Sequence, residues 1–209
     1  YQQCTRCVMD TTDPQIKFDE NGHCNHCIEF LTIRKKYIFQ GEKAEKELEQ
    51  IVNKMKADGK GREYDCIAGI SGGVDSSYVA YLCKQKGLRV LGVHMDNGWN
   101  AEEANLNIKN ITRKLDVDYE SYVLDWEEFK DVQLSFFKAG VIDIELITDH
   151  AILAVFNKAV EKYGVSYVFS GHNTATESIL PSDWYHWKLD GLNIKAIHKK
   201  FGKVRLKTF

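Results

Sequence analysis

The stretch YDCIAGISGGVDSSYVAYLCKQKG, residues 64–87, decides how this chain is read. A short apolar run, 64–70, breaks on Gly72 and Gly73 and continues as a helix that opens with hydroxyls and one acid, Asp75. Where a parallel strand turns into a helix, open α/β sheets bind their ligands. Glycine lets the backbone approach an anion closely and permits positive φ. The first N–H groups of the following helix lack partners, and its dipole favours negative charge. Ser71, Ser76 and Ser77 add hydroxyls on either side of Val74. The turn is therefore expected to cradle phosphate. It has no lysine, so it is not G-x-x-x-x-G-K-[ST], and it is not the dinucleotide pattern G-x-G-x-x-G either. An acid inside a phosphate loop makes sense if Asp75 positions Mg²⁺. The plainer reading is a serine-rich helix cap on a Gly-Gly turn.

Around this stretch the chain alternates strand and helix. A helix is expected from about Asp75 to Lys86, a second strand over 89–96 and a helix over 101–115 carrying Leu106, Ile111 and Leu115. A third strand is expected over 119–125, then helical stretches holding Phe129, Phe136 and Phe137 and running over 148–163. A fourth strand, VSYVFSG, covers 165–171. Apolar strands in such alternation predict an open, mostly parallel sheet with helices on both faces. Before it, residues 31–63 read as a helical connector. Leu48, Ile51, Val52 and Met55 share one helix face there, and Asp58-Gly59-Lys60-Gly61 marks the boundary. The chain starts at Tyr1 and stops inside KVRLKTF, so a further C-terminal portion is expected.

Four of the six cysteines fall in the first 27 residues as CTRC and CNHC, two C-x2-C knuckles. Cys4, Cys7, Cys24 and Cys27 thus predict a closed, structural Zn²⁺ site in a small unit over 1–30. His23 and His26 lie near enough to replace one thiol. Asn21-Gly22 between the knuckles is a tight-turn signal. Paired cysteines without a secretion signal favour a reducing cytoplasm. Net charge is −2, which disfavours general nucleic-acid binding, and no apolar run is long enough for a membrane span.

SGGVDSS resembles the PP-loop of the ATP-pyrophosphatase family, whose fold is the adenine nucleotide alpha hydrolase-like sheet. That family adenylates a carbonyl-type oxygen, releases pyrophosphate and lets nitrogen or sulfur displace AMP. The resemblance implies that Ser71, Gly72, Gly73, Val74, Asp75, Ser76 and Ser77 bind ATP and its Mg²⁺. HMDNGW, 94–99, follows the second strand, where the family places adenosine; Asp96 is the candidate there. In SGHNTATES, 170–178, Gly171, Asn173 and Glu177 have the spacing seen in ammonia-using NAD synthetases. Glu177 would then join Asp75 at the metal.

Read together, CTRCVMDTTDPQIKFDENGHCNHC, SGGVDSS, HMDNGW and LNIKAIHKKFG resemble the N-acetyl sugar amidotransferase family of bacterial surface-polysaccharide synthesis. The likeness runs from Cys4 to the end of the chain. It implies an ATP-dependent conversion of an acetamido group, on a nucleotide-linked sugar, to an acetamidino group. Ammonia would come from a separate glutaminase subunit. Aromatic residues of DWYHWKLDG, 183–191, are candidates for a sugar platform, and Lys199, Lys200, Arg205 and Lys207 for a phosphate clamp. Two rivals remain: a PP-loop tRNA thiolation enzyme, which would want reactive cysteines, and a zinc-ribbon binding module with a nucleotide-sensing domain. Cys66 and Cys83 lie in apolar stretches and read as core.

Overall fold

The computed structural model describes residues 1–172, 177, 181 and 184–207. The chain forms two compact units. One comprises residues 1–51 with 173–185, the other residues 52–172 with 186–209.

In the first unit, bridges pair Gln3 with Asp10 and Phe18 with Cys24. Gly22 takes φ +77° in the turn between the knuckles, where Asn21 and His23 both donate their N–H groups to Asp19. The conformation is the left-handed one that Asn-Gly signals. Cys4, Met9, Cys24 and Cys27 form a small buried cluster with Ile16 and Phe18 packed on it. Helix α1 (Asn25–Tyr37) leaves directly from the second knuckle, and α2 (Gly41–Asp58) begins in this unit and ends in the next. Of the face expected on α2, Val52 and Met55 are buried while Ile51 is half exposed.

The second unit carries four parallel strands: β1 (Cys66–Gly69), β2 (Val90–Asp96), β3 (Asp118–Val123) and β4 (Val168–Phe169). Their order is β3-β2-β1-β4. Ile67 lies beside Leu91 on one side and Val168 on the other. The chain therefore moves away from β1 in both directions, and the carboxyl end of β1 is the switch point where a crevice opens. Helix α3 (Val74–Gln85) leaves that end, α4 (Glu102–Leu115) joins β2 to β3, and α5 (Trp126–Ala139) follows β3. Next come α6 (Leu146–Tyr163) and α7 (Gly191–Phe201).

Side chains alternate across a strand. Ile67, with Leu91 and Val93, packs on Val155 and Ala159 of α6. The adjacent Cys66 instead meets Cys83 of α3. Helices thus cover both faces, as the apolar strands predict. A second core joins α5, α6 and α7 through Phe129, Phe136, Leu146, Ile147 and Ile194. The sequence reading overestimated β4. Val165 is already committed to the core, and only Val168 and Phe169 pair with β1. Leu106 and Phe137 are exposed, and Ile108 holds α4 to the core instead. No helix among the described residues is long and apolar enough to cross a membrane.

Two buried carboxylates on α5 fasten the end of the described chain. Asp131 Oδ2 accepts bonds from His198 Nε2 (2.8 Å) and from the N–H groups of Lys203 (2.6 Å) and Val204 (2.9 Å). Glu128 Oε1 accepts the N–H of Lys207 at 2.6 Å. Burial disfavours ionised Asp131, but the two N–H groups and His198 outweigh it and bring its pKa down from 3.8 to about 2. A depressed carboxyl stabilises the fold at neutral pH and loses that contribution as pH falls from about 4 through 2. We expect Asp131→Asn to cost on the order of 2 kcal/mol of stability at pH 7, read as a lowered thermal midpoint. The gap from wild type should close as unfolding is followed toward pH 2.

Candidate functional site

The glycine turn sits at the switch point. Gly72 has φ +81°, and a Cβ built on it would lie 2.4 Å from the carbonyl oxygen of Ala104 in α4. Only glycine fits there, both for conformation and for space. Asn107, one turn further along α4, donates Nδ2–H to the Gly72 carbonyl at 3.1 Å. Gly73 is the N-cap of α3, with no side-chain cap. A Cβ on Gly73 would meet nothing closer than Ser71 Oγ at 3.5 Å, so this side of the turn opens outward.

The serine hydroxyls are engaged within the turn. The Gly73 carbonyl accepts from Ser76 Oγ–H (3.2 Å), Ser77 Oγ–H (2.6 Å) and the Ser77 N–H (3.1 Å). Ser76 Oγ also accepts the Ser71 N–H at 3.2 Å, and the Ser71 and Ser76 hydroxyls lie 3.0 Å apart. Ser76 is buried, whereas Ser71, Gly73, Val74 and Asp75 are exposed. The Gly73 carbonyl is thus tied up by internal donors, and the Gly73 N–H reaches back to Ser71 Oγ at 3.4 Å. The helix start, where N–H groups have no partner one turn earlier, stays accessible. That is a cradle for an anion, with Asp75 at its rim.

Gly171, just beyond β4, lies against this helix start. A Cβ on it would come within 2.8 Å of the Ser76 nitrogen. Two strand ends, those of β1 and β4, therefore frame the cradle. Asn173 falls outside the described residues. Glu177 is an exposed helical residue of the first unit. Trp184 and Tyr185 belong to the first unit and His186 and Trp187 to the second.

At the end of β2, His94 is a bracing residue. Its Nδ1–H donates to the Ile70 carbonyl at 2.8 Å, and Nε2 accepts from Asn100 at 2.9 Å. With a carbonyl fixing the proton on Nδ1, the ring ties the residue before the cradle to the loop after β2. Asp96 Oδ1 takes the Gly98 N–H at 2.9 Å. The turn presents Trp99, which is exposed and meets Trp126 edge-on at 5.8 Å. Asn107 and Asn100 went unnoticed in the sequence. Their only signal is polar residues at the start of an amphipathic helix, which is also ordinary solvent-facing composition.

In the first unit the four cysteine sulfurs lie within 4.8 Å of one another. Cys4–Cys27 and Cys7–Cys24 are 3.9 and 3.7 Å apart. Zn–S bonds near 2.3 Å in a tetrahedron require S···S separations of about 3.8 Å, so the donor set fits that ion. Cys4 Sγ accepts N–H bonds from Arg6 (3.4 Å) and Cys24 (3.2 Å). Burial opposes its ionisation, yet these donors outweigh burial and bring Cys4 down to about 6. Burial pushes Cys7 up, to about 12. His26 does not substitute for a thiol: its Nε2 is 2.7 Å from the buried Asp13 carboxylate. His23 faces Asp19 instead. Cys66 and Cys83 are buried core thiols. The hydrogen bond between them, with burial adding to it, raises Cys66; the same bond lowers Cys83 against burial.

Residues 41–139, which hold the glycine turn and β1 to β3, match the family model of NAD synthase. The match covers just under half of the chain. A tRNA-specific 2-thiouridylase MnmA of Pediococcus pentosaceus is 32% identical over 124 residues, 53% of this chain and 33% of that protein. A tRNA-specific 2-thiouridylase MnmA 2 of Fusobacterium nucleatum is 30% identical over 120 residues, 53% of this chain and 34% of that protein. The chain thus spans about a third of the length of these curated relatives. Among solved structures, the NH3-dependent NAD synthetase of Campylobacter jejuni is similar at 15% identity and a TM-score of 0.45. It covers 75% of this chain and 72% of its own. The glutamine-dependent NAD+ synthetase of Acinetobacter baumannii is 17% identical with a TM-score of 0.49, over 62% and 26% of the two chains.

Two outcomes follow. Gly72→Ala should destabilise the second unit by about 1–3 kcal/mol for φ alone, with more from the Ala104 clash, read as a lowered unfolding midpoint. Metal analysis of purified protein should find about one zinc per chain, and Cys24→Ser should abolish stoichiometric zinc.

Proposed function

We propose that this chain is an AMP-forming, ATP-dependent enzyme that adenylates a carbonyl-type oxygen and lets a second nucleophile displace AMP. The observation that carries this reading is the cradle. An SGGVDSS turn stands at the switch point of a parallel sheet, with the Gly73 carbonyl bonded by its own serines, the Gly72 carbonyl by Asn107, and the start of α3 exposed. The NAD synthase family match over the same residues supports it.

In this reading the N–H groups at the start of α3 and the turn of Gly72 and Gly73 bind the β,γ-diphosphate. Charge on that leaving group grows as the bond to the α-phosphorus breaks. Donors already fixed in place stabilise it without having to reorganise. Asp75 would hold Mg²⁺, which supplies further charge neutralisation. Asp96, with Gly171 over the helix start, would bound the nucleotide, and Asn173 and Glu177 remain proposed members of the site.

For the acceptor, two readings stand. One is the acetamido oxygen of a nucleotide-linked sugar. That oxygen attacks the α-phosphorus, pyrophosphate leaves, ammonia adds to the imidoyl carbon and AMP departs, leaving an acetamidino group. An amide oxygen is a poor leaving group, and adenylation makes it a good one. The state of the cysteines favours this reading. Within these 209 residues, four thiols converge on the metal-type cluster and the other two are buried in the core. None is placed like an exposed nucleophile on the sheet. The other reading is thiolation of a tRNA base. The curated relatives favour it, since those named above are tRNA-specific 2-thiouridylases.

The test is product analysis. ATP turnover should yield AMP and pyrophosphate, and an ADP-plus-phosphate pattern would refute the proposal. Asp75→Ala should cut that turnover at least about 100-fold with an unchanged melting midpoint, because the side chain is exposed. With ammonium and a panel of nucleotide-linked diacetamido sugars, the amidotransferase reading predicts a loss of about one mass unit as NH replaces O. Incorporation of sulfur into tRNA, lost in Cys66→Ala or Cys83→Ala, would decide for thiolation instead.

A further inference from the structure

The SGGVDSS turn has no cation, yet it is read as holding a highly charged leaving group. The structure shows where cations are held in the same unit. Only two residues separate the end of β3 from the start of helix α5, so its N-terminal turns lie at the carboxyl edge of the sheet. Glu128 and Asp131 are its third and sixth residues. At 1.5 Å per residue, both lie within roughly 8 Å of the helix start. Both carboxylates are buried, and both spend their acceptor oxygens on backbone N–H groups of the segment 203–207. The segment is therefore strapped to the ligand end of α5 by its main chain and by Leu206, which packs on the core beside Phe129, and not by its charged side chains.

The side chains of Lys203, Arg205 and Lys207 are exposed, and among the described residues no carboxylate pairs with them. From Gly191 to Lys207 there is no acidic residue, although the chain as a whole carries a net −2. A backbone fixed by buried anions, with alternate cationic side chains left free, is not ordinary solvated surface. Fixing the main chain lowers the conformational cost of gathering three cations on one ligand. A guanidinium can grip phosphate oxygens through two parallel N–H bonds, and the ammonium groups act as point charges beside it.

We propose that Lys203, Arg205 and Lys207 form a phosphate-binding strap at the carboxyl edge of the sheet, complementing the cation-free glycine turn. This deepens the function proposed above and rests on its reading of a phosphate-bearing substrate. The phosphate is either the polyphosphate of ATP or the diphosphate that links a sugar to its nucleoside.

Calorimetric titration of the whole chain separates the sources, using inorganic pyrophosphate, ATP with Mg²⁺, UDP and a tRNA transcript as probes. The triple variant K203A/R205A/K207A should retain the wild-type melting midpoint. Its affinity for pyrophosphate and ATP, or for UDP, should fall at least about tenfold. Loss toward ATP assigns the strap to the nucleotide, and loss toward UDP alone to the acceptor. A second variant, Glu128→Gln, keeps all three cations but loosens Lys207, and should weaken the same probe by a smaller factor. The companion variant K158A/K195A, on the exposed faces of α6 and α7, should bind as wild type does. Unchanged affinity of the triple variant for all three small phosphates would overturn the proposal. So would loss confined to tRNA with a steep salt dependence, which would mark a nucleic-acid surface. Because pyrophosphate and UDP do not require ATP cleavage, the strap can fail while AMP formation stands. AMP formation can likewise fail while the strap still binds phosphate.

Discussion

The carbonyl of Gly73 accepts three hydrogen bonds, from two serine hydroxyls and one backbone N–H. The rest of the site depends on that arrangement. An anion cradle works only if local carbonyl dipoles are turned away or neutralised while N–H groups face outward. Here the motif supplies its own neutralisation. Ser76 and Ser77 look like phosphate donors in the sequence, yet in the folded chain their hydroxyls are spent on the Gly73 carbonyl and, for Ser76, on Ser71, which holds the turn in its conformation. The motif is then a preorganised shape more than a row of hydroxyl ligands.

That shape is held from outside as well. His94 ties the residue before the turn to the loop after β2, and Asn107 bonds the turn's own carbonyl. The strand order places β1 between β2 and β4, so elements from both directions converge on one strand end. The metal-type cluster of the first unit is a separate solution to a separate problem. A segment with few large apolar residues packs four sulfurs together with Met9, Ile16 and Phe18, and an ion held by those sulfurs would add the stability that a larger core supplies elsewhere.

Much of this was legible in the sequence because it rests on local chemistry. The glycine at 72, the C-x2-C pairs and the Asn-Gly turn each demand a particular backbone geometry, and each adopts it. The strand-helix alternation gave the parallel sheet for the same reason: apolar strands need cover on both faces. What stayed hidden depends on distant partners. The length of β4 is set by where it meets β1, not by its own apolar run. His26 turns to Asp13 rather than to the sulfurs, since a buried carboxylate waits for it. Nothing local in the sequence marks Glu128 and Asp131 for burial, and they accept N–H groups from a segment more than seventy residues later.

The contact between Gly72 and α4 has one further implication, for protein engineering. The turn rests on the Ala104 carbonyl and is bonded by Asn107, while Gly171 presses on the helix that leaves it. Its geometry is borrowed from two regions widely separated along the chain, α4 and the residue after β4. A seven-residue graft of this motif onto another strand–helix junction would carry the letters without the mould. A transplant that worked would have to bring a close-packed second helix and a glycine on the adjoining strand along with it.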